Sequence, residues 1–459
     1  MSFEPKTIIE PFKVKVVEPL PLRTRAEREV CLRHAGYNLF ALHAEDVTID
    51  LMTDSGTSAM SQDQWAAMMR GDESDAGARS FFELEREVRE LTGMEHVIPT
   101  HQGRAAERIL FGALARPGGR VPSNTHFDTT RANAEAAGLM AIDLIVAEGL
   151  DPQNDAPFKG NVDLDKLEAL LREHARDVPV VVITVTNNGA GAQPVSLENL
   201  RGVRALADRY GVRFFLDAAR FAENAYLIKQ REPGQRSRSA KEIAKEMFSL
   251  ADGCLVSAKK DGLVNIGGFL AMRDPDLARE CRNALVLTEG FPTYGGLAGR
   301  DRSALAVGLR EVLDERYLDY RIASVAYLWR ALDVQGVPLL GPPGGHAVYL
   351  DARRFLPHVS QDHFPGQSVA LALYLEAGVR TVEIGTLMFG RTLAGGGQHT
   401  HALELVRLAF PRRVYTQSHV DYVSEAVGYV FARRAELGGY RIVEEPRALR
   451  HFTAKLAPA

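Results

Sequence analysis

Three short apolar segments in the middle of the chain constrain its fold more than any other feature, because helical patterns separate them. They have strand length and are rich in apolar residues, and they cover residues 180–186 (VVVITVT), 212–216 (VRFFL) and 253–257 (GCLVS). Between the first two, Ser196 offers an N-cap, and apolar residues recur at helical spacing up to Gly211. Residues 240–250 form a second predicted helix. This alternation predicts an α/β fold with right-handed crossovers.

Two polar residues follow the ends of these predicted strands, where ligands bind in open α/β sheets. Lys260 follows the third strand, in the apolar and Gly-rich stretch SAKKDGLVNIGG. In one interpretation Lys260 is a buried amine, whose lowered pKa allows it to form a Schiff base with a cofactor aldehyde. In the other, the Lys-Lys pair lies in an exposed loop. Asp217 ends the second strand, where it either caps the next helix or keeps a pyridine nitrogen protonated. The pair favours a site for pyridoxal 5'-phosphate.

Two further features fit a ligand that carries anionic groups. Gln102, Gly103 and Arg104 open a segment with helical periodicity, and N–H groups at a helix start together with a cation bind phosphate. Arg407 lies in LELVRLAFPRR, an apolar and strand-like run. A buried guanidinium needs a partner, which is either a structural carboxylate or the carboxylate of a substrate.

The charge balance and the cysteines argue against several classes of protein. Lys and Arg number 55 against 59 Asp and Glu, and the net charge of −4 argues against a nucleic-acid binder or a basic membrane-binding surface. The three cysteines show no ligand spacing, so we expect neither a disulfide framework nor a zinc site. The sequence has no apolar stretch typical of a signal peptide or a membrane span. We therefore expect a cytoplasmic protein.

Composition changes along the chain predict its domains. Residues 1–22 contain four prolines, which is typical of an extended arm across a partner subunit or of a frayed terminus. After about residue 315, a helical stretch, the loop GPPGGHAVYLD and a final strand-helix-strand region predict a smaller α+β lobe. We predict an arm with part of the small domain at residues 1–60, a large cofactor-binding domain at 61–315 and a small C-terminal domain at 316–459.

Many motifs together resemble one family of enzymes, from about residue 8 to the C-terminus. The matching stretches are TDSGTSAMSQDQWAAMMRGDE, PTHQGRAAE, HFDTTR, AGAQPVSLENLR, DAARFAENAYLIKQRE, SAKKDGLVNIGG, EGFPTYGGLAGRD, GGHAVYLDARR and RHFTAKL. They resemble the tryptophanase and tyrosine phenol-lyase family, whose members are β-eliminating lyases with fold type I. The resemblance implies a large domain with a mixed, mostly parallel sheet and a smaller α+β domain. It also implies a lyase that uses pyridoxal 5'-phosphate to release pyruvate and ammonia from a β-substituted L-amino acid.

The resemblance assigns roles to individual residues. Lys260 would form the Schiff base and remove the α-proton, while Asp217 would pair with the pyridine nitrogen. The other cofactor contacts would come from Gln102, Gly103, Arg104, Phe127, Asn188, Arg220, Ser257 and Lys259. The substrate carboxylate would meet Arg407, Ser55 and Asn188, and a monovalent cation, normally potassium, would bind at Gly56, Glu73 and Asn265. Tyr294 matches a catalytic tyrosine from a neighbouring subunit, since the family is tetrameric and built from dimers.

Several positions distinguish the two branches of the family. Phenol-lyases carry an arginine at the position of Ile384 and a phenylalanine at that of His451, so both residues resemble tryptophanase. Asp128 in HFDTT and the stretch EGFPTYGG do so as well. An arginine is needed to anchor a phenol hydroxyl, and its loss argues against tyrosine as the substrate. The side chains of Asp128, Ile384 and His451 would therefore contact a tryptophan-like substrate.

One residue departs from the family pattern at a catalytic position. The family motif GDEAYAG reads GDESDAG here, so that Asp75 replaces the tyrosine that protonates the ring of the leaving group. An aspartic acid has an unperturbed pKa of about 3.9, against about 10 for tyrosine, so acid function at this position requires burial. The substitution predicts a changed substrate, with a C–S lyase acting on an S-substituted cysteine or a related β-substituted alanine as the alternative. A cofactor-binding protein without lyase turnover is the third hypothesis.

Overall fold

The computed structural model describes residues 7–395 and 397–459, and its chain divides into two compact units. The larger unit comprises Ser55–Gly149 and Ala156–Asp319. The smaller unit comprises the residues through Asp54, together with Leu150–Asp155 and Tyr320–Ala459. We predicted divisions after residues 60 and 315, and the contacts of the chain divide it after Asp54 and Asp319. Residues 1–6 of the predicted arm lie outside the described residues.

The strands are short and are numbered here in chain order. Strands β1 to β8 are Ile49–Asp50, His96–Thr100, Arg120–Ser123, Met140–Asp143, Val180–Thr184, Arg213–Asp217, Gly253–Ser257 and Gly268–Met272. Strands β9 to β16 are Ala347–Asp351, Val379–Arg380, Val382–Ile384, Arg391–Thr392, Gln398–His399, Leu405–Ala409, Tyr440–Glu444 and Lys455–Pro458.

The helices are numbered in the same way. Helices α1 to α8 are Arg25–His34, Gln62–Arg70, Arg79–Thr92, Gly103–Ala113, Asp128–Ala136, Leu164–His174, Leu197–Tyr210 and Phe221–Arg231. Helices α9 to α16 are Ala240–Ser249, Pro275–Thr288, Gly299–Glu311, Glu315–Asp333, Ala352–Phe355, Pro365–Ala377, Thr386–Phe389 and Gln417–Ala432. Of those described, none is both long and apolar enough to span a membrane.

The larger unit is built on a sheet whose described strands follow the order β2-β8-β7-β6-β5-β3-β4. Strand β8 runs antiparallel to both of its neighbours, and the remaining pairs are parallel. The central strands β5 and β7 are buried along their whole length, which suits continuous apolar sequences. This mixed, mostly parallel sheet confirms the predicted α/β fold.

The sequence patterns around the central strands correspond closely to the elements. Strand β7 has the predicted bounds, whereas β5 ends at Thr184, two residues before the end of its apolar run. Ser196 caps α7 by accepting a hydrogen bond from the N–H of Asn199, and Gly211 ends the helix at a φ of +66°. The prediction for this helix is confirmed, because a local cap and a left-handed glycine fix its ends.

The smaller unit contains a second, antiparallel sheet of the order β11-β14-β9. Strand β14 lies in the middle and is buried at every position. Helix α14 packs on this sheet, and Gly366 in its first turn brings it close to the side chain of Glu383. The segment after residue 315 thus contains both helices and strands, as the change in sequence pattern predicted.

Candidate cofactor and substrate site

Asp217 and Lys260 lie at the carboxyl ends of two adjacent parallel strands in the larger unit. Asp217 is the last residue of β6 and is in register with Leu255 of β7, while Lys260 follows the end of β7 by three residues. Asp261 joins the two ends, because its N–H donates to the carbonyl of Ala219 at 3.3 Å and its carboxylate accepts the N–H of Ala222 at 2.8 Å. The turn that carries Lys260 is thereby tied to the segment after Asp217.

The charges at this edge interact with one another. Asp217 is buried, and burial raises the pKa of its carboxyl group above its usual value, although the Lys260 ammonium, the N–H of Ala219 and then Arg220 act in the opposite direction. A buried carboxylate persists only when cations or donors compensate for its lost solvation. The arrangement provides an amine and a carboxyl group at one site, which is the pair that a pyridine aldehyde cofactor requires.

The start of α4 packs closely on the end of β7, beside this pair. Gln102 is the N-cap of the helix, and it forms a parallel bridge with Gly267. A Cβ at Gly103 would lie 2.5 Å from the Cβ of Ser257, so glycine allows the helix to approach the end of β7. The first N–H groups of a helix lack partners within the helix, and such groups bind anions. This geometry suits a phosphate.

Two cations near the helix start also fit an anionic group. Burial lowers the pKa of the half-buried Lys259, and the positive charge of Arg104 lowers it further. Like charges that repel each other at one place are stabilised when an anion lies between them. Lys259 and Arg104, together with the helix start, therefore fit the phosphate of pyridoxal 5'-phosphate.

The other residues of the larger unit that were predicted to contact the cofactor or the substrate lie in several different elements. Phe127 is half-buried and is the N-cap residue of α5, and the buried Asp128 begins this helix. Asn188 is buried in the loop that follows β5, and Arg220 is buried after β6. Ser55 is half-buried at the beginning of the larger unit. No finding tests their individual roles, which remain predictions.

The structure joins two of the three residues predicted to bind a cation. The Nδ2 of Asn265 donates to the carbonyl oxygens of Gly56 at 3.0 Å and of Ser58 at 3.1 Å. Glu73 instead accepts the N–H of Gly299 at 3.2 Å. Over residues 7–395 and 397–459, no cluster of three or more His, Cys, Asp or Glu side chains is able to hold a metal ion. Carbonyl oxygens would thus supply most donors of the predicted potassium site.

Asp75 lies in a loop in which hydrogen bonds hold the neighbouring residues Asp72 and Gly77. Asp72 accepts the N–H groups of Arg79 and Ser80 at 2.6 and 3.0 Å, and Gly77 donates to Thr293 at 2.9 Å. Although burial acts in the opposite direction, these donors lower the pKa of Asp72 to about 2. Asp75 itself is exposed in the single chain. Acid function at this position requires burial, and the described residues of a single chain do not bury Asp75.

Tyr294 occupies a defined position near the same loop. It is half-buried, and the guanidinium of Arg302 lies 6.0 Å from the centre of its ring. Arg302 also donates to the carbonyl of Tyr294 at 2.9 Å. The backbone of Tyr294 is therefore held by a buried arginine.

Three predicted substrate residues lie in the smaller unit. Arg407 is buried on β14, opposite Val382 of β11, and donates to the carbonyl of Met52 at 2.9 Å. Ile384 is the last residue of β11 and is fully buried. His451 is buried in a turn, and the neighbouring Arg450 donates to the carbonyl of Leu387 at 2.9 Å. This bond connects the turn of His451 to the helix that follows Ile384.

Several buried carboxyl groups escaped the sequence analysis, among them Glu107, Glu383 and Glu404. Glu107 on α4 accepts the hydroxyl of Thr130 at 2.8 Å and the Nδ2 of Asn133 at 2.9 Å, both from α5. Burial raises its pKa to about 7, and the charge of Asp217 raises it as well. Glu383 and Glu404 form a buried pair in the smaller unit. Each of these glutamates lies within an apolar stretch of sequence, and that pattern could have indicated its burial.

Comparison with known proteins agrees with this geometry. A sequence model described as "Beta-eliminating lyase" matches residues 50–426. A tryptophanase of Salinibacter ruber is 61% identical over 452 residues, which cover 98% of this chain and 96% of that protein. A tryptophanase of Rhodobacter capsulatus is 59% identical and covers 98% and 99% of the two chains. A tyrosine phenol-lyase of Symbiobacterium thermophilum is 51% identical and covers 98% of each chain.

Solved structures with low sequence identity share the fold. A serine palmitoyltransferase from S. paucimobilis with a bound PLP–myriocin aldimine has a TM-score of 0.56 and 14% identity, and covers 84% of this chain and 88% of that one. The chain in a complex of SepCysS with the N-terminal domain of SepCysE has a TM-score of 0.55 and 16% identity, and covers 85% and 96%. The predicted fold-type I architecture is thereby confirmed.

Proposed function

This chain belongs to the beta-eliminating lyase family, and we propose that it cleaves a β-substituted, tryptophan-like L-amino acid to pyruvate, ammonia and a leaving group. The dependence on pyridoxal 5'-phosphate and the β-elimination follow from the family and its named members. The observation that carries the substrate class is the identity of 56–61% to tryptophanases, against 50–52% to the phenol-lyases. Ile384 and His451 support the same branch.

The residues at the sheet edge would perform the first part of the reaction. Lys260 would hold the cofactor covalently and, once the substrate has displaced it, would take the proton from the α-carbon. Asp217 would keep the pyridine nitrogen protonated, which allows the bound cofactor to accept the electron pair left at the α-carbon. Gln102, Gly103 and Arg104 would hold the phosphate and so fix the direction of the ring.

The leaving group is the part of the reaction that Asp75 would change. Expulsion of indole requires a proton on a ring carbon, whereas a thiolate departs without one. Asp75 is exposed in the single chain, which supports a leaving group that needs no acid at this position. A second candidate function is therefore a C–S lyase that acts on an S-substituted cysteine or a related β-substituted alanine. The rest of the cofactor site would serve either reaction.

Substrate assays with the purified holoenzyme distinguish these functions. We expect pyruvate release from tryptophan, tyrosine, serine or S-alkylcysteines to identify the leaving group, with a change in cofactor absorbance on binding. If Asp75 limits carbon protonation, Asp75→Tyr increases turnover of tryptophan and leaves that of S-alkylcysteines nearly unchanged. Equal tryptophan turnover in the variant and the wild type would show that another residue decides the specificity. A normal cofactor spectrum without pyruvate from any substrate would favour the hypothesis of a cofactor-binding protein without turnover.

Three further properties belong to the proposal. We propose a homotetramer, in which Tyr294 completes the site of a neighbouring subunit, and a potassium ion at Gly56, Glu73 and Asn265. We also propose a cytoplasmic location, with a small amino acid as the partner and with neither nucleic acid nor membrane bound. Sedimentation and activity in potassium against lithium salts test the first two, and cell fractionation tests the third.

A further inference from the structure

Two buried carboxyl groups of the smaller unit meet at the end of β11. Glu383 precedes Ile384 on this strand, and Glu404 precedes β14. A Cβ at Gly385 would lie 2.5 Å from Oε2 of Glu404 and 2.7 Å from Oε1 of Glu383, so both oxygens face the same glycine. Their exposed fractions are 2% and 1%. Two carboxylates so close and so deeply buried repel each other unless a proton lies between them.

The hydrogen bonds around the pair leave one position for that proton. The two oxygens of Glu383 accept the N–H groups of Leu387 and Met388, each at 3.0 Å. Oε1 of Glu404 accepts the N–H and the hydroxyl of Thr386, and also the Nε2 of Gln361 at 3.2 Å. Oε2 of Glu404 has no hydrogen-bond partner within the described part of the chain, although it is buried. A proton on either carboxyl group would give this oxygen a partner across Gly385.

We propose that Glu383 and Glu404 share one proton, and that this proton holds the segment from Ile384 to Met388 in position. Both residues would act as positioning residues, since they bind the backbone of this segment and touch no reacting atom. The inference rests on the proposed function in one respect, namely that Ile384 contacts the side chain of the substrate. Loss of the proton would then loosen the segment and weaken substrate binding.

The pair titrates in a range where this effect is measurable. Burial raises the pKa of Glu404 to about 7, and burial together with the charge of Glu404 raises that of Glu383 well above its usual value. Arg353 acts in the opposite direction on Glu404. The other charged or titratable groups on the surrounding elements are Asp351, Arg354, Asp362, His363, Tyr374, Glu376, His401, Arg407, Arg450 and His451.

The sign of the pH dependence follows from these directions. The folded pair keeps a proton that the unfolded chain releases above pH about 4.5, so the folded state binds more protons up to neutral pH. This contribution to stability is present at low pH and is lost as the pH rises through about 7. Glutamine at position 404 is neutral at every pH, and its amide carries the N–H donors that would replace the proton.

The test compares the holoenzyme with Glu404→Gln and with the control Glu444→Gln, which removes an exposed carboxylate on β15. We measure the unfolding midpoint and the amide exchange of peptides that cover residues 384–391, from pH 5.5 to 8.5. The wild type and the control should lose several degrees more than Glu404→Gln, and their exchange, corrected for intrinsic pH dependence, should accelerate up to about pH 7 and level off above it. Identical profiles for wild type and Glu404→Gln would overturn the proposal. Glu383→Gln provides a second test if Glu404→Gln does not fold.

A kinetic measurement adds the link to the substrate. The wild-type KM should rise about 25-fold between pH 6.5 and 8.5, because the protonated fraction of a group with a pKa of about 7 falls from roughly three quarters to roughly 3%. Glu404→Gln should show a clearly smaller rise, with little difference in kcat. Unequal unfolding profiles with equal KM profiles would overturn the link to substrate binding, while the shared proton would stand. Absence of turnover in every variant would instead contradict the proposed function, and the unfolding and exchange profiles would still decide the present inference.

Discussion

Replacing Gly103 by alanine should weaken cofactor binding, because this position has no room for a side chain. A Cβ there would lie 2.5 Å from the Cβ of Ser257 and 2.9 Å from its Cα. Carbon atoms do not approach one another so closely, so the first turn of α4 must move away from the end of β7. The N–H groups that we expect to bind the phosphate would move with it.

The size of the effect follows from the cost of overpacking. Inserting a methyl group into a well-packed position costs about 1–3 kcal/mol. The free protein relieves the contact by a shift of α4, whereas the cofactor-bound protein requires the original position, so binding bears this cost. At about 1.4 kcal/mol for each factor of ten, the Kd of pyridoxal 5'-phosphate should rise about 5- to 150-fold.

Titration of the apoprotein, followed by the absorbance of the lysine-bound cofactor, measures this Kd. Gly112→Ala is the matched control, since Gly112 lies in the same helix and a Cβ there meets nothing within 4 Å. The control should bind the cofactor with the affinity of the wild type. Its unfolding midpoint should be slightly higher, because alanine is favoured over glycine inside a helix. A Kd for Gly103→Ala within about twofold of the wild type would refute the reasoning about the cradle.

Three other variants test separate parts of the structure. Lys260→Ala should abolish the lysine-bound absorbance band and reduce pyruvate release by at least about 10²–10⁴-fold, since a proton acceptor at the α-carbon is lost; an unchanged band would exclude Lys260 as the attachment site. Ser196→Ala should lower the free energy of unfolding by about 0.5–2 kcal/mol in urea, because the cap of α7 is lost, without altering cofactor affinity. Glu107→Gln should remove a pH dependence of the free energy of unfolding. Burial raises the pKa of the wild-type carboxyl to about 7, so the wild-type protein is more stable at low pH. Its free energy of unfolding should fall by on the order of 3 kcal/mol as the pH rises from 4.5 through 7. Parallel stability curves for this variant and the wild type between pH 5 and 8 would contradict that assignment.

The parts of the fold that depend on local sequence could be predicted. Strand β7 has the predicted bounds, and α7 begins after the cap Ser196 and ends before Gly211. Neighbouring residues fix these ends, through a side-chain cap and a left-handed glycine. Asp217 and Lys260 came to the same edge because the carboxyl ends of parallel strands meet there.

The parts that depend on distant contacts could not be predicted. Glu383 and Glu404 are brought together by the pairing of β11 with β14, and no local pattern specifies that pairing. Glu107 became visible as a buried group only through α5, whose Thr130 and Asn133 bind its carboxylate. Residues 150–155 group with the smaller unit for the same reason, since Gln153 donates to the carbonyl of Leu339.

The exposure of Asp75 links the chemistry of the leaving group to the assembly of the protein. An acid at this position needs burial, and the single chain leaves Asp75 exposed. Burial would therefore have to come from a neighbouring subunit or from the substrate itself. If a neighbouring subunit covers the loop in the proposed tetramer, Asp75 gains the burial that acid function requires, and carbon leaving groups remain accessible. If the loop stays open to water, Asp75 lacks that burial, and the reaction is restricted to groups that depart without a proton.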